Sequence, residues 1–185
     1  MINQEQTIIN QTINWIKQVV IGCNFCPFAA KALSIKNNIR FNVVFANNNV
    51  SIDELILSEL KYLSEHEDIE TSFSIFPDSY ESFEDFLDLV EESEIILEDE
   101  GYEGIIQIAS FHPQYCFEGS HDEDPANYTN RSIYPMLHFL REDSIEKIRL
   151  HYDDLESIPQ RNIQYAQEKG LNYMTLLRAS CIQQS

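Results

Sequence analysis

The sequence predicts an α/β fold: a small, mostly parallel sheet of about three strands with helices packed around it. Three observations carry this reading. Short β-type runs occupy residues 39–46, 71–76 and 104–111. Two helical runs separate them, and the order strand–helix–strand–helix–strand suits layered packing. Each connection is long enough for a right-handed parallel crossover. The main rival for the same pattern is a ferredoxin-like α+β arrangement. No repeat, low-complexity tract or linker interrupts residues 1–185, so one domain is expected.

The elements follow in chain order. Ile9, Ile13, Ile16 and Val20 recur at helical spacing, which predicts an amphipathic helix over about 3–20 with Gly22 as its stop. Pro27 is suited to open a short helix from Phe28 to Leu33. In the first strand, Ile39, Phe41, Val43 and Phe45 alternate with Arg40 and Asn42, which gives one well-buried face. Ser51 and Glu54 match a capping box ahead of a stripe of Leu55, Ile56, Leu60 and Leu63. Pro77 closes the second strand. Ser82 precedes a helix carrying Phe83, Phe86, Leu87 and Val90. In the third strand Ile105, Ile106, Ile108 and Ala109 barely alternate, as in a strand covered on both faces. Residues 112–131 have no period but hold aromatics, prolines and one glycine, so an ordered loop is expected. A helix is then predicted from Ser132 through Tyr134, Pro135, Met136, Leu137, Phe139 and Leu140, restarting at Ser144 toward Ile148. A last helix is predicted from Pro159 to Lys169, stopped by Gly170.

Charge narrows the partners. Twelve basic and 31 acidic residues give a net charge of −19, which repels nucleic acid and anionic membrane surfaces. No apolar segment is long enough to span a bilayer, and the amino terminus lacks signal-peptide character. A cytoplasmic protein with reduced thiols is therefore expected. The acid is concentrated in Glu91–Glu103 and at His121–Asp124. It reads as solvated surface, because no calcium-loop spacing is present.

Chemistry concentrates in three segments. Cys26 lies just before a helix start, where free N–H groups and the helix dipole favour a thiolate; the bland alternative is a small buried hydrophobe. His112 lies at the carboxyl end of the most apolar strand, an edge where α/β sheets bind ligands. There it is a base, an acid, a ligand or only a loop anchor. Arg131 stands beside Asn127 and Asn130, and is either an anion site or a salt-bridge partner for the many carboxylates. On the predicted helix, His138 and Arg141 share a face. Tyr102, Tyr115 and Phe117 are expected to pack. His66, His121 and His151 are expected at the surface, and Cys116 and Cys181 receive no role.

Gly22–Ala29, Gln107–Pro113 and Tyr128–Glu142 together resemble the signatures of the domain-of-unknown-function family 1415, over nearly the whole chain. The resemblance implies no activity. It selects Cys26, His112, Asn130, Arg131, His138 and Arg141 as matching positions. Cys23, Cys116 and Ile133 depart from the pattern, which favours a single-thiol site over a Cys23–Cys26 disulfide.

The leading expectation is an enzyme site, a cysteine-dependent transferase or hydrolase. Cys26 would be the nucleophile and His112 or His138 its base. Arg131 and Arg141 would anchor a small anionic substrate, and Asn130 would donate to an oxyanion. One alternative is a metal site of Cys26, His112 and His138 with Asp122 or Asp124. The other is a non-catalytic interaction module. Cofactor and oligomeric state are left open.

Overall fold

The computed structural model describes residues 3–35, 38–48, 50–149 and 155–183; His151 lies outside them. Helix α1 (Gln4–Trp15) runs into a π-helical turn (Ile16–Ile21), followed by the short α2 (Ala29–Ser34). Then come β1 (Ile39–Val43), α3 (Ile52–Glu65), β2 (Thr71–Ile75), α4 (Phe83–Asp99) and β3 (Ile106–Phe111). A 3-10 turn (Pro125–Thr129) leads to β4 (Met136–Arg141), α5 (Glu142–Arg149), α6 (Ile158–Lys169) and α7 (Leu171–Gln183).

The result is an α/β protein with a four-stranded mixed sheet in the order β1–β2–β4–β3. The predicted strands β1, β2 and β3 all point the same way. Only β1 and β2 are neighbours in parallel, because β4 inserts antiparallel between β2 and β3. That corrects the mostly parallel three-stranded expectation. The parallel β1–β2 pair also sets the sheet apart from an all-antiparallel ferredoxin-like one.

The helix predicted across Met136–Leu140 is this central strand. Met136, His138 and Leu140 face one layer, while Leu137, Phe139 and Arg141 face the other. A strand buried on both sides shows no polar alternation, so its apolar run is hard to tell from a helix by period. In a strand, residues three apart point to opposite faces. His138 and Arg141 therefore do not share one.

Two cores result. Under α3 and α4, Ile56, Leu60, Leu63 and Phe86 pack on Ile106, Leu137 and Phe139. The capping box at Ser51 and Glu54 starts α3 as the sequence implied. On the opposite face, Trp15, Ile16 and Val19 pack on Phe73, Ile75 and Met136, joined by Met174 and Cys181 of α7. The polar half of β1, only partly exposed, is bound by a buried acid. The wholly buried Glu59 of α3 accepts from Arg40 Nε at 3.1 and 3.2 Å, from Asn42 Nδ2 at 2.8 Å and from Ser72. A buried carboxylate needs such partners to stay ionised.

Gly22 ends the π-turn through sterics rather than through a left-handed backbone. A Cβ there would lie 2.2 Å from the carbonyl oxygen of Gln18. The turn's bonds reach back five residues, Gly22 N–H to Lys17 O at 3.0 Å and Phe25 N–H to Val20 O at 2.8 Å. This swing carries the chain away from α1 and sets Cys26 against the sheet face.

Candidate functional site

The predicted site residues fall at two places. The first is a cavity of about 440 Å³ on the α1 face, between α2 and the sheet, bordered by Cys26 and His138. It lies at the amino ends of β1 and β2 and extends along β3 as far as Phe111, whereas α/β sheets usually bind ligands at the carboxyl edge. Strand alternation builds its floor: Phe73 of β2 and Ala109 of β3 flank His138 in register. The His138 ring stacks on Phe73, with centroids 3.9 Å apart and planes 6° from parallel. Trp15, Ile16 and Val20 close one side and Ala29 and Ala32 of α2 another.

His138 Nε2 lies 2.7 Å from Thr71 Oγ1, whose hydroxyl also lies 2.6 Å from the carbonyl oxygen of Phe139. A carbonyl only accepts, so the Thr71 proton goes there and Nε2 must donate to Thr71. The imidazole is thus a neutral Nε2–H tautomer with Nδ1 as a bare acceptor. Among the described residues nothing bonds to that nitrogen. Burial in apolar surroundings lowers the His138 pKa to about 3.

Cys26 precedes α2, as the sequence suggested. Burial nonetheless pushes its thiol up, and N–H groups of Phe28 and Ala29 pull it down only in part. The helix has six residues, and its terminus does not outweigh desolvation. Cys26 and His138 are therefore a neutral thiol and a neutral imidazole in one cavity. Arg141 borders the cavity too, but its guanidinium serves the other face of β4. It donates to the carbonyls of Ile69 at 3.0 Å, His66 at 2.9 Å and Leu63, and so caps the carboxyl end of α3.

The second place is the loop after β3. His112 is wholly buried against Phe83 and Phe86 of α4, on the face away from Cys26. Both its nitrogens are engaged: Nε2 meets the Tyr80 carbonyl at 2.8 Å and Nδ1 accepts from Gln114 N–H at 3.0 Å. Burial lowers its pKa, the Tyr80 bond opposes this, and Arg178 lowers it further. Asn130 accepts from His112 N–H through its main chain at 3.3 Å and contacts the Tyr115 hydroxyl through its side chain. The buried Asn127 anchors the loop by accepting from Phe117 N–H at 3.0 Å and donating to His121 O at 2.9 Å. Arg131 borders a separate open cleft of about 500 Å³. So the structure joins Cys26 with His138, and His112 with Asn130 and Arg131, but not the two sets.

No group of three or more His, Cys, Asp and Glu side chains among the described residues is placed to hold a metal ion. The ligand set of Cys26, His112 and His138 is not assembled, because His112 faces the α4 layer. All four cysteines are free thiols. No helix among the described residues is long and apolar enough to cross a membrane. Sequence reasoning missed Thr71, Phe73 and Trp15 as walls of the cavity. The signal was the Thr–x–Phe alternation of β2, legible only once β4 is placed beside it.

The model of the family described as a protein of unknown function (DUF1415) matches residues 7–175, and the chain belongs to that family. No curated protein and no solved structure matches it.

Proposed function

For a member of a family without an assigned activity, we propose small-molecule binding in the cavity of Cys26 and His138, by a ligand with an apolar body, a hydrogen-bond donor that meets His138 Nδ1, and an anionic end. The observation that carries the reading is the bare Nδ1 acceptor of a neutral imidazole in the wall of a largely apolar cavity. Such cavities, with a few convergent polar groups and a perturbed pKa, suit small ligands. The rim supports the anionic end. Two of the chain's 12 basic residues, Lys31 and Lys147, border it with their charges, against one of its 31 acidic ones, Glu70.

Thiol catalysis is the second reading, favoured by the shared cavity. It needs a Cys26 thiolate, and desolvation shifts Cys26 and His138 toward the neutral pair. A nucleophile of the transferase or hydrolase kind would form only with a ligand in place.

Trp15, the single tryptophan, lines this cavity and reports occupancy directly. 2-Hydroxyoctanoate titrated against the full chain should change its emission saturably, and octanoate, which lacks a donor for Nδ1, and 1,2-octanediol, which lacks the charge, should each bind about tenfold more weakly, by loss of one interaction. Ala32→Phe, which fills the cavity, should abolish the response. A response absent in the native chain, or unchanged in Ala32→Phe, removes the proposal.

A further inference from the structure

We propose a second, independent site: the cleft at the carboxyl edge of the sheet binds the carboxylate group of a small molecule between Arg131 and the first turn of α4. Arg131 is 8% exposed, yet among the described residues its charge forms no ion pair. Its Nε donates to the Tyr115 carbonyl at 2.8 Å, and its guanidinium carbon lies 5.1 Å from the Tyr128 ring centre. The two terminal amino groups have no acceptor among the described residues. In a chain with 31 carboxylates, the one side-chain ion pair among the described residues is Arg40–Glu59. A like charge lies near it. Arg178 of α7, held at 2.9 Å by the Pro113 carbonyl, feels Arg131 as a repulsive neighbour. A largely buried cation with a like-charged neighbour, and no ion-pair partner among the described residues, is an unfavourable arrangement that an anion from solution relieves.

The geometry narrows the anion. With Nε engaged, the remaining N–H groups form an end-on fork, which matches the two oxygens of a carboxylate. Across the cleft stand Ser82, Phe83 and Glu84, the start of the 17-residue helix α4. The first N–H groups of a helix have no intrahelical acceptor and favour an anion. Ser82 Oγ accepts only from Asp85 N–H, at 3.4 Å, and keeps its own proton to donate. Glu84 and Asp122 also line the cleft and are exposed. They and the net charge of −19 oppose a second negative charge, so a monoanion is preferred over a phosphate dianion.

The test is a titration of the full chain with sodium acetate at constant ionic strength, followed by the amide resonances of Phe83 and Glu84 and the Nε–H of Arg131. Sodium chloride and inorganic phosphate serve as comparisons. Saturable shifts with acetate are expected, with binding at least tenfold weaker in Arg131→Gln. Glu84→Gln removes an exposed opposing charge and should tighten acetate severalfold, which decides the matter if Arg131→Gln does not fold. The proposal is overturned by shifts that do not saturate, by equal response to chloride, by tighter binding of phosphate than acetate, or by a Glu84→Gln variant that binds no tighter.

Discussion

The histidines on the two faces of the sheet show how the same residue can be a component of the fold or an open position in it. His112 and His138 both sit among aromatic rings and both are held neutral by burial. His112 has a protein partner on each nitrogen, Tyr80 O and Gln114 N–H. His138 has Thr71 on one nitrogen and, among the described residues, nothing on the other. The first histidine closes a loop, and its hydrogen bonds are complete without a ligand. The second leaves one acceptor in an apolar wall, which is the state a binding site needs before its ligand arrives. A lowered pKa alone does not separate the two; exposure and the count of satisfied nitrogens do, His112 being wholly buried and His138 half-buried.

That contrast can be broken most directly by His112→Ala. It strands a carbonyl and an N–H inside the protein and opens a void against Phe83 and Phe86, so about 3 kcal/mol of stability should be lost in urea unfolding. A loss under 1 kcal/mol would mean His112 is no anchor.

The pH response is the next largest effect. His138 is lowered to about 3 in the fold against 6.5 in the unfolded chain, so the unfolded state binds the proton first. Its contribution is intact above pH 6.5 and is lost as pH falls toward 3, roughly 2–3 kcal/mol by pH 4.5. His112, lowered in the same direction, adds to the slope. His138→Phe should flatten the stability curve in this window. A curve that stays as steep would place the acid sensitivity elsewhere.

His138→Phe at pH 7.5 should cost only about 1 kcal/mol, since the stack on Phe73 survives and Thr71 keeps its bond to Phe139. The gap between this value and that of His112→Ala measures the difference between the two histidines. The smallest effect is on Cys26, where no stability change is involved. Iodoacetamide labelling of the native chain should show an apparent pKa above that of an ordinary thiol. An apparent pKa below 8 would restore the thiolate reading.

Much of the fold was legible. The Ser51–Glu54 box, the stripe from Leu55 to Leu63 and the three strand runs are local patterns, and local patterns survive into the structure. The ordered loop at 112–131 was also legible, because Asp124, Asn127 and the prolines carry turn chemistry. What could not be read depends on distant neighbours. Met136–Arg141 becomes a strand because β2 and β3 both pair with it. Helix α7 escaped because its apolar residues point several ways: Met174 and Cys181 are buried while Leu176 is 70% exposed. For the site, residue types were readable and their grouping was not. Whether Cys26 meets His138 or His112 is decided by which face of the sheet each side chain takes, and β4 supplies that answer.

The place of β4 also governs how the chain can assemble. Strands β2 and β3 never touch each other; each pairs with a strand made later in the chain. Until residues 136–141 have been synthesised, β2 and β3 each present an unpaired edge, the kind that invites pairing with other chains. The central zipper of the sheet then closes over sequence separations such as Thr71 to Leu140. Non-local closure of this kind slows folding. A nascent chain halted before Met136 should therefore be a poor folder and a ready aggregator, although it already contains the first three strands and the helices between them.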